Sequence, residues 1–198
     1  MTDGLVRQAE FPPAILSAAR RGDHRAFAAL VEHYDPRLRT LAYHLLGDPH
    51  RTDDALQDIY VKVFRSLSGF SGDSALSTWL MRIAYTTCID HLRRRGRVVP
   101  LPDLELERGL PEGPDPTDDL SGRRVVRDAL RRLPPEQRAV VVLVGVQGLG
   151  YRQAADILEV PSGTVASRFS AARHTLRSAL RGDDRLVAAA DCMGEVSP

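Results

Sequence analysis

The stretch YRQAADILEVPSGTVASRFSAARHTLRSAL, residues 151–180, decides the fold of the second half of this 198-residue chain. It predicts a short helix over 151–158 and a longer one over 164–180, separated by a tight connector. Apolar residues recur at helical spacing on one face of the longer helix, and arginines lie on the other face. Two helices joined by so short a turn, the second of them basic, form the helix-turn-helix pattern. An ordinary helical hairpin with a solvated arginine face is the competing interpretation.

The net charge is only +1, from 27 lysines and arginines against 26 acidic residues, but the charges are unevenly distributed. Residues 123–181 hold eleven basic and four acidic side chains, whereas residues 96–122 hold two basic and seven acidic ones. The net charge of the whole chain disfavours a nucleic-acid partner, because nucleic-acid binders are often basic. The basic segment alone is compatible with DNA binding, although a solvated face is the commoner explanation for such a segment.

Composition and spacing exclude several classes of protein. Hydrophobic residues make up 43% of the chain, which is enough for packed cores, and no apolar run reaches the ~18 residues that a membrane span needs. The N-terminus has no apolar signal-peptide core, so we expect a cytoplasmic protein. Cys88 and Cys192 cannot form a disulfide framework. No metal, phosphate-loop or deaminase pattern is present, so we expect no catalytic, cofactor or metal-binding residues and no enzyme activity.

The first half of the chain predicts helices and no strands. Asp23 is placed to cap a helix, Pro36 to begin a second one that ends at Gly47, and Thr52 to cap a third. A fourth helix is predicted over 77–94 from its apolar periodicity. The turn that precedes it is rich in serine and glycine.

Prolines and acidic residues then interrupt the helical pattern, which resumes at Arg123. The apolar run over 140–144 could be a buried strand, but its flanks favour a core helix. The chain is therefore predicted to be all-α, with two helical domains joined by a flexible linker. The predicted divisions are an N-terminal extension over 1–13, a helical domain over 14–95, an acidic Pro-rich linker over 96–121, a second helical domain over 122–181 and a mostly disordered tail over 182–198.

Three segments carry a resemblance to a known family. DDALQDIYVKVF, residues 53–64, resembles the polymerase-binding helix of bacterial sigma factors. STWLMRIA at 77–84 and DHLRR at 90–94 resemble their promoter-melting helix, and the stretch over 151–168 resembles their −35-reading helix-turn-helix. The order and spacing of these segments are similar to those of the small extracytoplasmic-function (ECF) sigma factors, over roughly residues 14–181.

The resemblance implies a sigma factor with region 2 in the first domain and region 4 in the second. Such a protein would direct core RNA polymerase to specific promoters, melt the −10 element and read the −35 element. Its implied partners are the clamp coiled coil of core polymerase, promoter DNA and an anti-sigma factor, without membrane insertion. The alternative is a stand-alone helix-turn-helix regulator, which would leave the helices over 53–64 and 77–94 without a role.

The resemblance also implies three groups of contact residues. Those for core polymerase are Asp54, Gln57 and Asp58, which share one helix face because they lie at i, i+3 and i+4. Those for the −10 element, where the turn over 70–74 would capture a flipped base, are Phe70, Ser71, Asp73, Ser74, Trp79, Arg82, Arg93 and Arg94. Those for the −35 element are Arg152, Ser162, Thr164, Ser167, Arg168 and Arg173.

Some of these residues have a simpler interpretation, and the sequence departs from the family pattern at two positions. The acidic first turn around Asp54 could be only solvated, and a lone tryptophan such as Trp79 is more often part of a core. Leu76 stands where an aromatic residue is usual, which affects the packing behind the −10 pocket. Ala166 stands where many relatives have lysine or arginine, which should weaken a contact with the DNA backbone.

Overall fold

The first half of the molecule is a bundle of four helices, one of which is central and packs against the other three. The computed structural model describes residues 11–95 and 128–179. The central helix α2 packs against the other three. The four helices are α1 (Pro13–Arg20), α2 (His24–Leu46), α3 (Pro49–Ser66) and α4 (Leu76–Arg95), and a 3₁₀ turn over Leu67–Gly69 follows α3.

The second half is also helical and ends in a helix-turn-helix. A helical turn over 128–131 leads into α5 (Pro135–Val140), which continues as a π-helical turn over Val141–Val146. Next come α6 (Tyr151–Leu158) and α7 (Ser162–Ala179). The apolar run over 140–144 is therefore helical, as its flanks favour, and residues 11–95 and 128–179 contain no strand.

The two ends of α2 were predicted correctly, but its middle was not. The carboxylate of Asp23 accepts hydrogen bonds from the backbone N–H groups of Arg25 and Ala26 at 2.8 and 3.0 Å, and Gly47 ends the helix at φ 69°. The prediction that Pro36 begins a separate helix is wrong, because α2 runs through it. Pro36 lacks one backbone N–H donor, and the continuous buried stripe of α2 offsets that single loss.

The predicted start of α3 is also wrong. Asp48, not Thr52, caps this helix by accepting a hydrogen bond from the Arg51 N–H at 2.9 Å. Thr52 lies one turn later, is buried, and donates its hydroxyl to the Asp48 carbonyl at 2.7 Å. Both residues are good caps in isolation. Pro49 decides between them because its fixed φ suits the first helical position.

The buried apolar side chains of the two halves form one continuous cluster. Helix α4 packs against α6, while α2 packs against α5 and the π-helical turn. The predicted linker over 96–121, the tail over 182–198 and most of the extension over 1–13 lie outside the described residues, so these divisions stay predictions. No helix within the described part of the chain is long and apolar enough to cross a bilayer.

Candidate nucleic-acid interface

Helices α6 and α7 form the helix-turn-helix that the sequence predicts. Glu159 turns the chain in the left-handed region at φ 55°, and the Val160 N–H donates to the Ala155 carbonyl at 3.2 Å. The ring of Tyr151 meets that of Phe169 with centroids 6.0 Å apart. This packing fixes the angle between the helices and leaves the N-terminus of α7 at the surface.

The predicted −35 residues lie on these two helices. Ser162 is the first residue of α7 and is exposed, two positions earlier than the helix start predicted from sequence. Thr164 and Arg168 are half-buried, while the exposed Ser167 donates its hydroxyl to the Thr164 carbonyl at 3.0 Å. Four of the six predicted residues therefore lie within the first two turns of α7. The other two lie farther away: Arg152, exposed on α6, and Arg173, half-buried about 16 Å along α7 from Ser162.

The turn predicted to capture a base has a polar rim and a buried ring. The Ser71 hydroxyl donates to the Asp73 carboxylate at 2.6 Å; both residues are exposed, and Ser74 is half-buried. Phe70 is only 8% exposed and packs on the Trp79 ring at a centroid distance of 5.2 Å. A base could stack on Phe70 only if the ring moved away from Trp79. Trp79 itself packs half-buried against the core.

The three arginines of the predicted −10 surface are in different environments. Arg93 and Arg94 are exposed near the C-terminal end of α4. Arg82 instead reaches α6 in the other half of the molecule, where its Nη2 and Nε donate to the Asp156 carbonyl at 2.7 and 3.2 Å. Its Nε also lies 3.4 Å from a Glu159 carboxylate oxygen. This contact could not be predicted from residue identities, because every residue offers a backbone carbonyl.

The same side of α4 lies within electrostatic range of Arg168 on α7. Tyr85 on α4 is half-buried, and its pKa is raised first by burial and then by the carboxylate of Glu136. The positive charges of Arg168 and Arg93 oppose that shift in the pKa. One residue from each predicted DNA surface therefore lies within electrostatic range of the same tyrosine.

The predicted polymerase-binding residues form an exposed acidic face on α3. Asp54, Gln57 and Asp58 are all exposed. Asp58 Oδ2 lies 2.9 Å from Nε2 of His91 on α4. Sequence reasoning missed this partner, because residues 33 positions apart give no helical spacing signal. It also missed Val61, which is 47% exposed and continues the face at i+3 from Asp58.

No cluster of three or more metal-ligating side chains exists in residues 11–95 and 128–179. Cys88 is fully buried, and burial raises the pKa of its thiol to about 12. The thiol is therefore protonated at neutral pH and is a poor nucleophile.

Each half of the chain matches a known protein family. Residues 30–98 match the Sigma-70 region 2 family, and residues 123–176 match the family described as Sigma-70, region 4. The first match contains the acidic α3 face and α4, and the second contains the helix-turn-helix. Together they define a transcription initiation factor of the sigma-70 class.

Individual relatives narrow the class further. The RNA polymerase sigma-H factor of Pseudomonas aeruginosa is 34% identical over 178 residues, which cover 84% of this chain and 92% of that protein. The ECF RNA polymerase sigma factor SigM of Mycobacterium tuberculosis is 38% identical over 162 residues, covering 82% and 81%. The chain belongs to the ECF group of RNA polymerase sigma factors, as its sequence motifs predict.

Solved structures agree with the fold. The sigma factor RpoE of Bartonella quintana, in complex with the anti-sigma factor NepR, has a TM-score of 0.65 at 27% identity, covering 80% of this chain and 99% of that one. CnrH, in complex with the cytosolic domain of CnrY, has a TM-score of 0.64 at 27% identity, covering 86% and 97%. The prediction of an all-α architecture with two sigma domains is confirmed. The comparisons support a sigma factor for promoter-specific transcription by RNA polymerase, and they do not support the alternative of a stand-alone regulator.

Proposed function

We propose that this sigma factor works through three surfaces: an acidic polymerase face on α3, a −10 surface on the turn over 70–74 and on α4, and a −35 surface on α7. One observation carries the proposal. A single chain presents both an exposed acidic helix face and a helix-turn-helix with an exposed N-terminus. A regulator that used only the helix-turn-helix would have no use for the acidic face.

The α3 face is proposed to dock on the clamp coiled coil of core polymerase. Asp54 and Asp58 supply two carboxylates, and Gln57 supplies an amide between them. Such a face is complementary to a basic surface and would steer association. The contact between Asp58 and His91 lies at the edge of this face, so His91 holds one carboxylate in place before docking.

The −10 surface is proposed to hold a base that leaves the duplex. Unstacking and unpairing a base costs a few kcal/mol, which contacts in the pocket must offset. Ser71, Asp73 and Ser74 offer donors and acceptors to the edge of the base. The exposed Arg93 and Arg94 are placed to contact backbone phosphates, as Arg82 would be once it is released from α6.

The −35 surface is proposed to enter the major groove with the N-terminal end of α7. Ser162, Thr164, Ser167 and Arg168 are closest to base edges in that orientation. The backbone N–H groups in the first turn of α7 also favour a phosphate. Arg152 and Arg173 are proposed to set the register of the domain through phosphate contacts.

The experiment that tests this function measures promoter binding and transcription with and without core polymerase. We expect promoter-specific transcription only when this protein and core polymerase are both present. Specific binding of a cognate promoter by the isolated protein, unchanged when core polymerase is added, would overturn the three-surface proposal.

Control by an anti-sigma protein is part of the proposal. It is supported by the similar structure of the sigma factor RpoE, which is bound to the anti-sigma factor NepR. We also place the protein in the cytoplasm, where core polymerase acts, and give it no catalytic role of its own. Coexpression with a candidate anti-sigma protein followed by co-purification would test the proposed control by such a partner.

A further inference from the structure

Helix α3, which carries the proposed polymerase face, is joined to α2 by a network of polar side chains. On α2, Asp35 and Arg39 lie one turn apart, and Arg39 Nε donates to Asp35 Oδ2 at 3.2 Å. Arg39 Nη1 donates to Oδ1 of Asp53 on α3 at 2.6 Å. The hydroxyl of Tyr60, also on α3, donates to the Asp35 carboxylate. Burial and this carboxylate raise the pKa of Tyr60, so the phenol keeps the proton that it donates.

The two α3 members of this network lie on either side of the proposed polymerase residues along the chain. Asp53 and Tyr60 are seven positions apart, which is about 10 Å along the helix axis. Asp54, Gln57 and Asp58 lie between them. Apolar burial holds α3 on the bundle without a preferred direction, whereas hydrogen bonds depend on angle and distance. The two contacts therefore fix the rotation of α3 about its own axis and, with it, the direction of the polymerase face.

Arg39 also decides which carboxylates at the start of α3 point outward. Asp53 directly precedes Asp54, and successive residues of a helix point about 100° apart. The side chain of Asp53 is 57% exposed even with Arg39 bound to it, so without Arg39 it would be another free carboxylate beside the face. A basic partner could then pair with Asp53 in place of Asp54. By holding Asp53 against α2, Arg39 leaves Asp54 and Asp58 as the outward carboxylates.

We infer that Arg39, supported by Asp35 and Tyr60, is a positioning residue for polymerase binding, because it sets the rotation of α3 and withdraws Asp53 from the polymerase face. This inference rests on the proposed function of that face. Its partner is a basic surface, for which the placement of each carboxylate matters. A single exposed ion pair is weak, but one guanidinium shared by two carboxylates and supported by a phenol forms a network.

The test compares Arg39→Gln with Arg25→Gln, which removes the same charge from an exposed arginine on the same helix. Affinity for core polymerase is measured by fluorescence anisotropy of the labelled full-length proteins. Loss of a positive charge near an acidic face should by itself strengthen binding to a basic partner, whereas loss of positioning should weaken it. We expect Arg39→Gln to bind about three- to tenfold more weakly than Arg25→Gln, mainly through faster dissociation.

A second variant separates positioning from a simple loss of stability. Asp53→Asn, added to Arg39→Gln, removes the carboxylate that Arg39 no longer holds but does not restore the ion pair. We expect the double variant to bind about twofold or more tightly than Arg39→Gln alone. A merely structural role of Arg39 predicts no such recovery. Tyr60→Phe changes no charge and should weaken binding about twofold. Urea unfolding of each variant verifies that it is folded at the assay temperature.

Equal affinities of Arg39→Gln and Arg25→Gln would overturn the inference, and so would a loss that Asp53→Asn does not reverse. If Arg39→Gln does not fold, Tyr60→Phe decides, and unchanged affinity in that variant would refute positioning. Failure of the proposed function is seen separately, because Asp54→Arg with Asp58→Arg would then bind polymerase normally.

Discussion

Charge reversal on α3 gives the sharpest test of the polymerase face. Asp54→Arg with Asp58→Arg places two cations on a face that now offers two carboxylates. An exposed pair contributes about 0.2–1 kcal/mol, and reversal replaces that attraction with a repulsion of similar size. The two sites together should therefore weaken binding by about 1–4 kcal/mol, which is roughly five- to a thousandfold in Kd.

The fold should survive this change. Both side chains are exposed and neither belongs to the core. The change removes the contact between Asp58 and His91, whose Oδ2 and Nε2 atoms lie 2.9 Å apart. Exposed pairs of this kind are weak, so the free energy of unfolding should fall by no more than about 1 kcal/mol.

The assay is fluorescence anisotropy of the labelled sigma factor titrated with core polymerase at low and high salt. Glu32→Arg, an exposed acid on α2, is compared with the single variant Asp54→Arg, because these two variants carry the same charge change. The unmodified protein should bind less tightly at high salt, and the variant should lose much of that dependence. Unchanged affinity in the double variant at low salt, with its helicity intact, would refute the assignment of this face.

Three further predictions follow from single contacts. Arg168→Ala should weaken binding to the preferred −35 sequence by about 1–3 kcal/mol and relax the preference at one base. Arg152→Ala should weaken binding to all DNA sequences alike, and selection of bound sequences from a random pool would distinguish the two effects. Gly47→Ala should destabilise the protein by about 1–2 kcal/mol in urea unfolding, because φ is 69° and the added Cβ would lie 3.1 Å from Arg131 Nε. Burial and the nearby Arg138 guanidinium lower the pKa of His44 in the folded protein. The free energy of unfolding should therefore fall as the pH drops below the unfolded pKa of about 6.5, and His44→Gln should flatten that pH dependence.

Local signals in the sequence predicted local structure well. The apolar spacing over 151–158 defines α6 with its observed bounds, Tyr151–Leu158. Asp23 and Gly47 mark the ends of α2 because a side-chain cap and a left-handed glycine act on their own neighbours. Such signals need no knowledge of the rest of the molecule.

The failed predictions depend on distant contacts or on a choice between two good local signals. Pro36 has the local character of a helix start, but the packing of α2 against three other helices carries the helix through it. Asp48 and Thr52 are both good caps, and Pro49 decides in favour of the first. The predicted site residues were placed on the expected helices, yet the engagement of Arg82 with α6 could not be predicted. Any helix end offers carbonyls, so the sequence does not say which arginine will find them.

The three arginines of the predicted −10 surface differ in their availability to DNA, and this difference bears on why such a protein would need polymerase. Arg93 and Arg94 are exposed and can contact DNA, whereas Arg82 is bound to α6. The buried ring of Phe70 removes the stacking surface as well. The free protein thus offers DNA only two exposed arginines of this surface and the start of α7, which is too little to offset the cost of flipping a base.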